Sequence, residues 1–126
     1  MKKFLILAVL FVFMGVGSSF AQTVKTYYPN GKVKVAKSYF LSGKLEEIIV
    51  YYPNESKKFV KRYYSNGQLR GVIRYNNKDE QNGPYTYYWP NGQVKVKGAY
   101  KNGKHSGPTK EYSLTGVPLG PGQNQS

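Results

Sequence analysis

The sequence predicts an all-β fold: an antiparallel meander of β-hairpins that forms a single-layer, elongated sheet in which each repeating unit is one strand and one turn. Aromatic pairs recur every twelve residues, beginning with Tyr27-Tyr28, Tyr39-Phe40, Tyr51-Tyr52 and Tyr63-Tyr64. Asn-Gly pairs at residues 30, 66, 82, 91 and 102 fall between the aromatic positions. Such pairs favour tight type I′ hairpin turns. The intervening segments alternate apolar and basic side chains, as strands with two different faces do.

The first 21 residues are predicted to be a signal peptide that is removed on export. Lys2 and Lys3 precede the apolar run Phe4–Met14, and small residues at Ser19 and Ala21 form a cleavage site. The run is shorter than the roughly 20 residues that a membrane-spanning helix needs. We therefore expect an extracytoplasmic protein, periplasmic or secreted, that is not transmembrane after cleavage. An uncleaved anchor is the alternative.

The remaining chain divides into a repeat domain, residues 22–116, and a tail, residues 117–126. The tail (VPLGPGQNQS) has no strand alternation and is predicted to be disordered. Two stretches interrupt the repeat pattern. Asn54–Lys58 lacks a turn glycine, and Asn76–Gly83 is a longer polar loop.

The charge balance predicts an anionic partner. The chain has 19 Lys and Arg against 6 Asp and Glu, a formal net charge of +13. Such an excess attracts polyanions. An exported protein seldom meets nucleic acid, and sheet packing explains the periodic tyrosines better than base stacking does. We therefore expect an anionic envelope component or an acidic protein, although basic side chains also keep an open sheet soluble and its edges unpaired.

Strand alternation predicts that the basic side chains share one face of the sheet. They are expected opposite an apolar face that contains Val33, Val35, Leu69, Ile73, Val94 and Val96. The candidate anion- or partner-binding face consists of Lys34, Arg70, Arg74, Lys95 and Lys97.

The composition excludes most catalytic chemistry. Without cysteine there is no disulfide framework, thiolate metal site or thiol nucleophile. The single histidine, His105, is expected to be an ordinary turn residue. Glu46 and Glu47 are adjacent on a predicted strand, so we expect them on opposite faces rather than as a catalytic pair. We predict a non-enzymatic protein with no catalytic residues, no metal ligands and no cofactor.

Residues 83–107 resemble the MORN-repeat variant family of bacterial proteins. They contain a Gly, aromatic, Asn-Gly, Tyr and Gly-Lys-x-x-Gly framework, and residues 107–116 begin another copy. Residues 27–75 keep the aromatic and Asn-Gly rhythm without the Gly-Lys-x-x-Gly element. The framework positions are Tyr28, Gly31, Tyr64, Gly67, Gly83, Tyr88, Gly92, Tyr100, Gly103, Gly107 and Tyr112.

This resemblance implies an array of hairpins used for binding or scaffolding, without catalysis. Many bacterial proteins of this type are labelled YwqK-like antitoxins. The resemblance therefore implies a second function, in which the protein neutralises a cognate toxin by direct binding. An adjacent toxin gene would favour that alternative.

Overall fold

The computed structural model describes residues 20–120 as one antiparallel sheet of ten strands. The sheet order is β1-β2-β3-β4-β5-β6-β7-β9-β10, with β8 paired to the end of β7. This arrangement confirms the predicted all-β meander. The strands are β1 Phe20–Tyr27, β2 Val33–Phe40, β3 Leu45–Tyr51, β4 Lys57–Tyr63, β5 Leu69–Arg74, β6 Gly83–Tyr88, β7 Val94–Lys101, β8 Lys104–His105, β9 Lys110–Tyr112 and β10 Pro118–Leu119.

The sheet extends past both predicted domain boundaries. β1 begins at Phe20, before the predicted cleavage point, while residues 1–19 of the predicted signal peptide lie outside the described residues. At the other end, Pro118 and Leu119 pair with β9, so the prediction of a disordered tail from residue 117 is wrong for this segment. The turn before it has the hairpin geometry of the repeat, with Gly116 at φ 89°. Residues 121–126 lie outside the described residues. No helix in residues 20–120 is long and apolar enough to cross a membrane.

Most hairpins use the same five-residue loop. In the first, the Tyr28 N–H donates to the Lys32 carbonyl at 2.8 Å, and the Gly31 N–H donates to the Tyr28 carbonyl at 2.9 Å. Gly31, at φ 86°, is the one residue of this loop with positive φ. The loop is therefore a type I turn followed by a left-handed residue, rather than the expected type I′ turn. The same pair of hydrogen bonds recurs in the loops that begin at Phe40, Tyr52, Tyr64, Asn76, Trp89 and Ser113.

In the loops that contain an Asn-Gly pair, a local hydrogen bond of the asparagine supports this turn. Asn30 Oδ1 accepts a hydrogen bond from the Lys32 N–H at 2.9 Å, the side-chain-to-backbone bond two residues along the chain that asparagine commonly makes in turns. Within the described chain, both members of an Asn-Gly pair take positive φ only at Asn102 and Gly103, at 50° and 85°. That two-residue turn joins β7 to β8.

Two loops place an acidic residue where the others have glycine. Glu55 has φ 75° and Asp79 has φ 63°. Each forms an ion pair with a lysine of the neighbouring part of the sheet: Glu55 with Lys32, and Asp79 with Lys57. The two stretches that interrupt the sequence pattern therefore keep the loop geometry.

A β-bulge follows several of the loops and shifts the alternation of side chains. Between β4 and β5, Arg62 pairs with Gly71 and Tyr63 with Leu69, which leaves Arg70 as the extra residue. In a bulge, two residues oppose one partner, and the extra side chain is re-aimed. Residues twelve positions apart in the sequence therefore lie on opposite faces of the sheet, and residues about 24 positions apart lie on the same face. The extra residues of the five equivalent bulges are Lys34, Glu46, Lys58, Arg70 and Lys95.

Pairing across strands defines the two faces of the sheet, because directly paired side chains lie on the same side. The aromatic face contains Ala36, Ile49, Val60, Ile73, Tyr85, Tyr87, Val96 and Tyr100. The lysine face contains Val35, Lys37, Ile48, Val50, Phe59, Lys61, Val72, Thr86, Lys97 and Lys110.

The small core lies on the aromatic face. Val60, Tyr85 and Ala36 are the buried hydrophobic residues of the described sheet, with exposures of 3%, 8% and 9%. The Tyr85 ring covers Gly98, where a Cβ atom would lie 2.5 Å from the tyrosine hydroxyl oxygen. Tyr87 covers Gly71 in the same way, with Cδ1 2.5 Å from a Cβ at that position. Tyrosine rings over glycines thus supply the packing that a second layer would otherwise provide.

Candidate partner-binding surfaces

The structure divides the predicted basic face between both sides of the sheet. Lys97 and Arg74 lie on the lysine face, opposite Thr86 and Phe59 respectively. Lys34 joins them, with Nζ 5.7 Å from the centre of the Tyr28 ring.

Arg70 and Lys95 lie on the aromatic face, so the prediction of one shared face is wrong for these two residues. The Arg70 guanidinium is 5.6 Å from the centre of the Tyr64 ring, and the Lys95 ammonium is 4.6 Å from that of Trp89. Both are extra residues of bulges, which turn their side chains toward the face of the residue that follows them. Simple alternation from the neighbouring strand residues places them on the wrong side.

A transverse row of lysines crosses the lysine face. Lys37 pairs with Ile48, which pairs with Lys61, and the row continues through Val72 and Thr86 to Lys97 and Lys110. Neighbouring strands are about 4.8 Å apart, so Lys37 and Lys61 lie about 10 Å apart along the row. Lys97 and Lys110 are directly opposed and both exposed. Like charges in that relation repel each other.

The strand carboxylates of the described sheet lie on the other side. Glu47 pairs with Arg62 and Glu111 with Val96, both on the aromatic face. Glu46 lies beside Glu47 in a groove of the same face. The expectation that Glu46 and Glu47 point to opposite faces is therefore wrong, because Glu46 is the extra residue of the β2–β3 bulge. The lysine row consequently has no carboxylate between its members.

Two adjoining grooves occupy the aromatic face, and Arg62, Tyr64 and Arg70 line both. The first has a volume of about 230 Å³ and is otherwise lined mainly by apolar residues, Val60, Gly71, Ile73, Tyr87 and Val96 among them. The second has a volume of about 280 Å³, and its other lining residues are Ser38, Phe40, Glu46, Glu47, Tyr63 and Ser65. Sequence reasoning missed both grooves. The sequence signal that could have indicated them is a charged residue six positions after the first residue of a five-residue loop. Glu46 follows Phe40 in this way, and Arg70 follows Tyr64.

The charges of these grooves are partly neutralised within the sheet. The Arg62 Nε–H donates to Glu47 Oε2 at 2.8 Å, and this bond raises the pKa of Arg62. Burial raises the pKa of Tyr87, although the nearby Arg62 charge opposes the shift. Glu46 Oε1 is buried and has no hydrogen-bond partner among the described residues.

Hydrogen bonds between side chains and carbonyl groups connect successive hairpins. The Tyr28 hydroxyl donates to the Tyr51 carbonyl at 2.7 Å. Tyr64 donates in the same way to the carbonyl of the framework residue Tyr88, also at 2.7 Å. These bonds join residues 23 to 24 positions apart, the length of one hairpin. Tyr52 and Trp89 form equivalent bonds to the carbonyls of Tyr75 and Tyr112.

The remaining framework residues have structural roles. Tyr100 packs against Tyr85, with ring centres 5.3 Å apart, and against His105 at 4.9 Å. His105 is thus part of the aromatic cluster. The framework glycines all take positive φ: Gly31, Gly67, Gly83, Gly92, Gly103 and Gly107. No group of three or more His, Cys, Asp or Glu that could hold a metal ion occurs in residues 20–120.

Comparison with known families shows that three stretches of the chain are similar to the MORN repeat variant. The family model matches residues 23–36, 60–77 and 81–102. These stretches correspond to the β1–β2, β4–β5 and β6–β7 hairpins with their loops. No curated protein matches the chain. MORN repeats are generally binding or scaffold modules and are typically non-catalytic.

Proposed function

We propose that this protein is an exported binding module that holds an extended, phosphate-rich anionic partner against its lysine face. The observation that carries this proposal is the row of Lys37, Lys61, Lys97 and Lys110, which crosses the sheet without an intervening carboxylate. Lys34, Lys58 and Arg74 extend the positive charge toward the ends of the strands.

The row favours an extended partner over a small anion. Its lysines are spread over several strands rather than gathered around one point, and Ile48 and Val72 lie between them. Only an anion that repeats along its length can contact all the ammonium groups at once. Such a partner would also relieve the repulsion between Lys97 and Lys110. Attraction of this kind weakens as salt screens the charges.

The test compares two variants that lose equal charge from opposite faces. One replaces Lys37, Lys61 and Lys97 with Gln, and the other replaces Lys25, Arg70 and Lys95. Binding to linear polyphosphate and to phosphatidylglycerol vesicles is measured across a salt series. We expect the lysine-face variant to bind at least about tenfold more weakly, and the control variant to bind like the wild type.

The two probes distinguish the source of the phosphate groups. Binding to polyphosphate alone indicates a soluble polymer, and binding to vesicles alone indicates lipid headgroups. Equal weakening by both variants would show that only net charge matters, which would contradict a dedicated lysine face. Binding that does not change with salt would contradict the electrostatic basis of the proposal.

Export is a separate part of the proposal. It is supported by the positively charged, then apolar, then small-residue pattern of residues 1–21. Intact-mass measurement of the protein from its native host is expected to give a mature chain that begins at Gln22. A soluble cytosolic species that retains residues 1–21 would contradict export. The toxin-neutralising alternative stays a prediction, and direct binding to the product of an adjacent toxin gene would support it.

A further inference from the structure

The β2–β3 hairpin departs from the other hairpins at three equivalent positions. Phe40 occurs where Tyr64 and Trp89 supply a hydrogen-bond donor, and Ser42 occurs where Asn66 has its side-chain amide. Glu46 is the extra residue of the bulge, where the equivalent hairpins have lysine or arginine. Residues 37–59, which include these positions, lie between the stretches that match the MORN repeat variant.

These differences leave a groove beside the next hairpin on the same end of the sheet. A tyrosine at position 40 would extend its hydroxyl toward β4, as Tyr64 does toward β6, but the phenylalanine ring ends short of it. The resulting groove, of about 280 Å³, has Phe40, Tyr63 and Tyr64 as its aromatic lining. Glu46 and Arg70 line it as well.

Four charged side chains line this groove. Two of them form an ion pair with each other, and the other two do not. Glu47 and Arg62 form an ion pair at 2.8 Å. No ion pair joins Glu46 to Arg70, although both are described side chains that line the same groove. Glu46 Oε1 is buried without a hydrogen-bond partner, and a buried carboxylate oxygen without a donor is unfavourable. Arg70 is exposed and lies over the Tyr64 ring.

We infer that this groove binds a compact zwitterion of the size of one or two amino acids. Its ammonium group donates to Glu46, and its carboxylate accepts from Arg70. Glu46 and Arg70 occupy equivalent positions on β3 and β5, two strand spacings or about 10 Å apart at the backbone. Their side chains extend into this interval, which leaves room for a ligand with opposite charges at its two ends. An ammonium group has three donors for Glu46, and a guanidinium can hold a carboxylate through two parallel bonds.

The test uses small probes that differ only in charge. Alanine and dialanine carry both charges, whereas propylamine and propionate carry one each. Binding is followed by the amide chemical shifts of the β2–β3 and β4–β5 hairpins. We expect the zwitterions to bind at least about tenfold more tightly than either single-charge probe, because each charged hydrogen bond contributes separately.

Four variants locate the site. Glu46→Gln and Arg70→Gln should each weaken zwitterion binding about tenfold, and Lys58→Gln, at the equivalent bulge on the lysine face, should leave it unchanged. Phe40→Tyr should weaken binding by occupying the groove. Far-UV circular dichroism verifies that each variant keeps the sheet.

The inference does not depend on the lysine face, so the two can fail separately. If the zwitterions bind no better than propionate, the groove is an anion site and the inference is wrong. If no probe shifts the groove resonances at millimolar concentration, the groove binds none of them and the inference is wrong. It is also wrong if a double-mutant cycle shows that Glu46 and Arg70 stabilise each other in the free protein, because the two charges then pair internally.

Discussion

At the residue scale, a few side chains replace interactions that a second layer would normally supply. Tyr85 and Tyr87 cover Gly98 and Gly71 on neighbouring strands, and Tyr85 is buried. These glycines are needed for the space they leave rather than for positive φ, since neither takes a left-handed backbone. The sequence pattern alone does not distinguish them from turn glycines.

Gly98→Ala is expected to destabilise the sheet by about 1–3 kcal/mol, the usual cost of forcing an extra carbon into a packed site. The added Cβ would lie 2.5 Å from the Tyr85 hydroxyl oxygen, and the buried ring has little freedom to move. Urea unfolding measures the free energy of unfolding. In a Tyr85→Leu background the same substitution should cost much less. An equal cost in both backgrounds would show that the ring contact is not the cause.

Asp79 is expected to give stability a dependence on acid pH. The Lys57 N–H donates to its Oδ1 at 2.9 Å, and this bond, aided by the nearby Lys57 ammonium, lowers the Asp79 pKa below its ordinary value. A lowered pKa means that the folded state favours the carboxylate. The resulting stabilisation is present above the unfolded pKa of about 3.9 and is lost as the pH falls through the folded pKa.

The matched variant is Asp79→Asn, because asparagine also tolerates the positive φ at this position. Its free energy of unfolding should be lower than that of the wild type at neutral pH, and the difference should shrink below about pH 4. Urea titrations between neutral pH and about pH 3 would measure this. A difference that stays constant with pH would exclude the carboxylate as its source.

At the scale of elements, hydrogen bonds from loop aromatics connect each hairpin to the next on the same end of the sheet. Tyr28, Tyr52, Tyr64 and Trp89 each donate to a carbonyl group one hairpin further along. Asparagines of the loops add a parallel set, such as Asn66 to the Pro90 carbonyl at 2.9 Å. Phe40 and Ser42 interrupt both sets at the β2–β3 hairpin.

Tyr64→Phe should therefore lower the free energy of unfolding by about 1 kcal/mol, because the Tyr88 carbonyl loses a donor. The reverse change, Phe40→Tyr, should raise it by a similar or smaller amount by adding the missing donor. Thermal and urea unfolding of both variants would measure these effects. The internal control is Tyr39→Phe, since no side-chain hydrogen bond of the Tyr39 hydroxyl contributes to this set. A gain from Tyr64→Phe would contradict the role of these bonds.

The sequence predicts the strands well because their period and turn residues are local properties. The twelve-residue aromatic step, together with glycines such as Gly31, Gly67 and Gly92, is enough to predict the meander. The faces are harder to predict, because one extra residue in a strand reverses every later side chain. Arg70 and Lys95 look like ordinary alternating residues in the sequence, and only the pairing of their neighbours shows that they are bulged. The grooves depend on those bulges and were therefore not predicted.

At the scale of the whole molecule, each strand of the sheet contacts only its neighbours. The described chain has one layer, and its contacts join consecutive strands except where β9 follows β7. In such a quasi-one-dimensional array, stability is approximately a sum of local and nearest-neighbour contributions. Loss of a terminal hairpin should therefore leave the remaining strands folded.

Truncation after Gly107 removes β9 and β10 and tests this expectation. Trp89 is the single tryptophan, and its indole N–H donates to the Tyr112 carbonyl at 3.1 Å, so its emission reports on that end of the sheet. We expect the truncated chain to retain its far-UV circular dichroism per residue while the emission shifts to longer wavelength as the indole becomes hydrated. A control that ends at Gly120 keeps β9 and β10 and should leave the emission unchanged. If truncation after Gly107 abolishes the β-sheet signal instead, the terminal hairpin is required by the entire array, and stability is not the sum of neighbouring contributions.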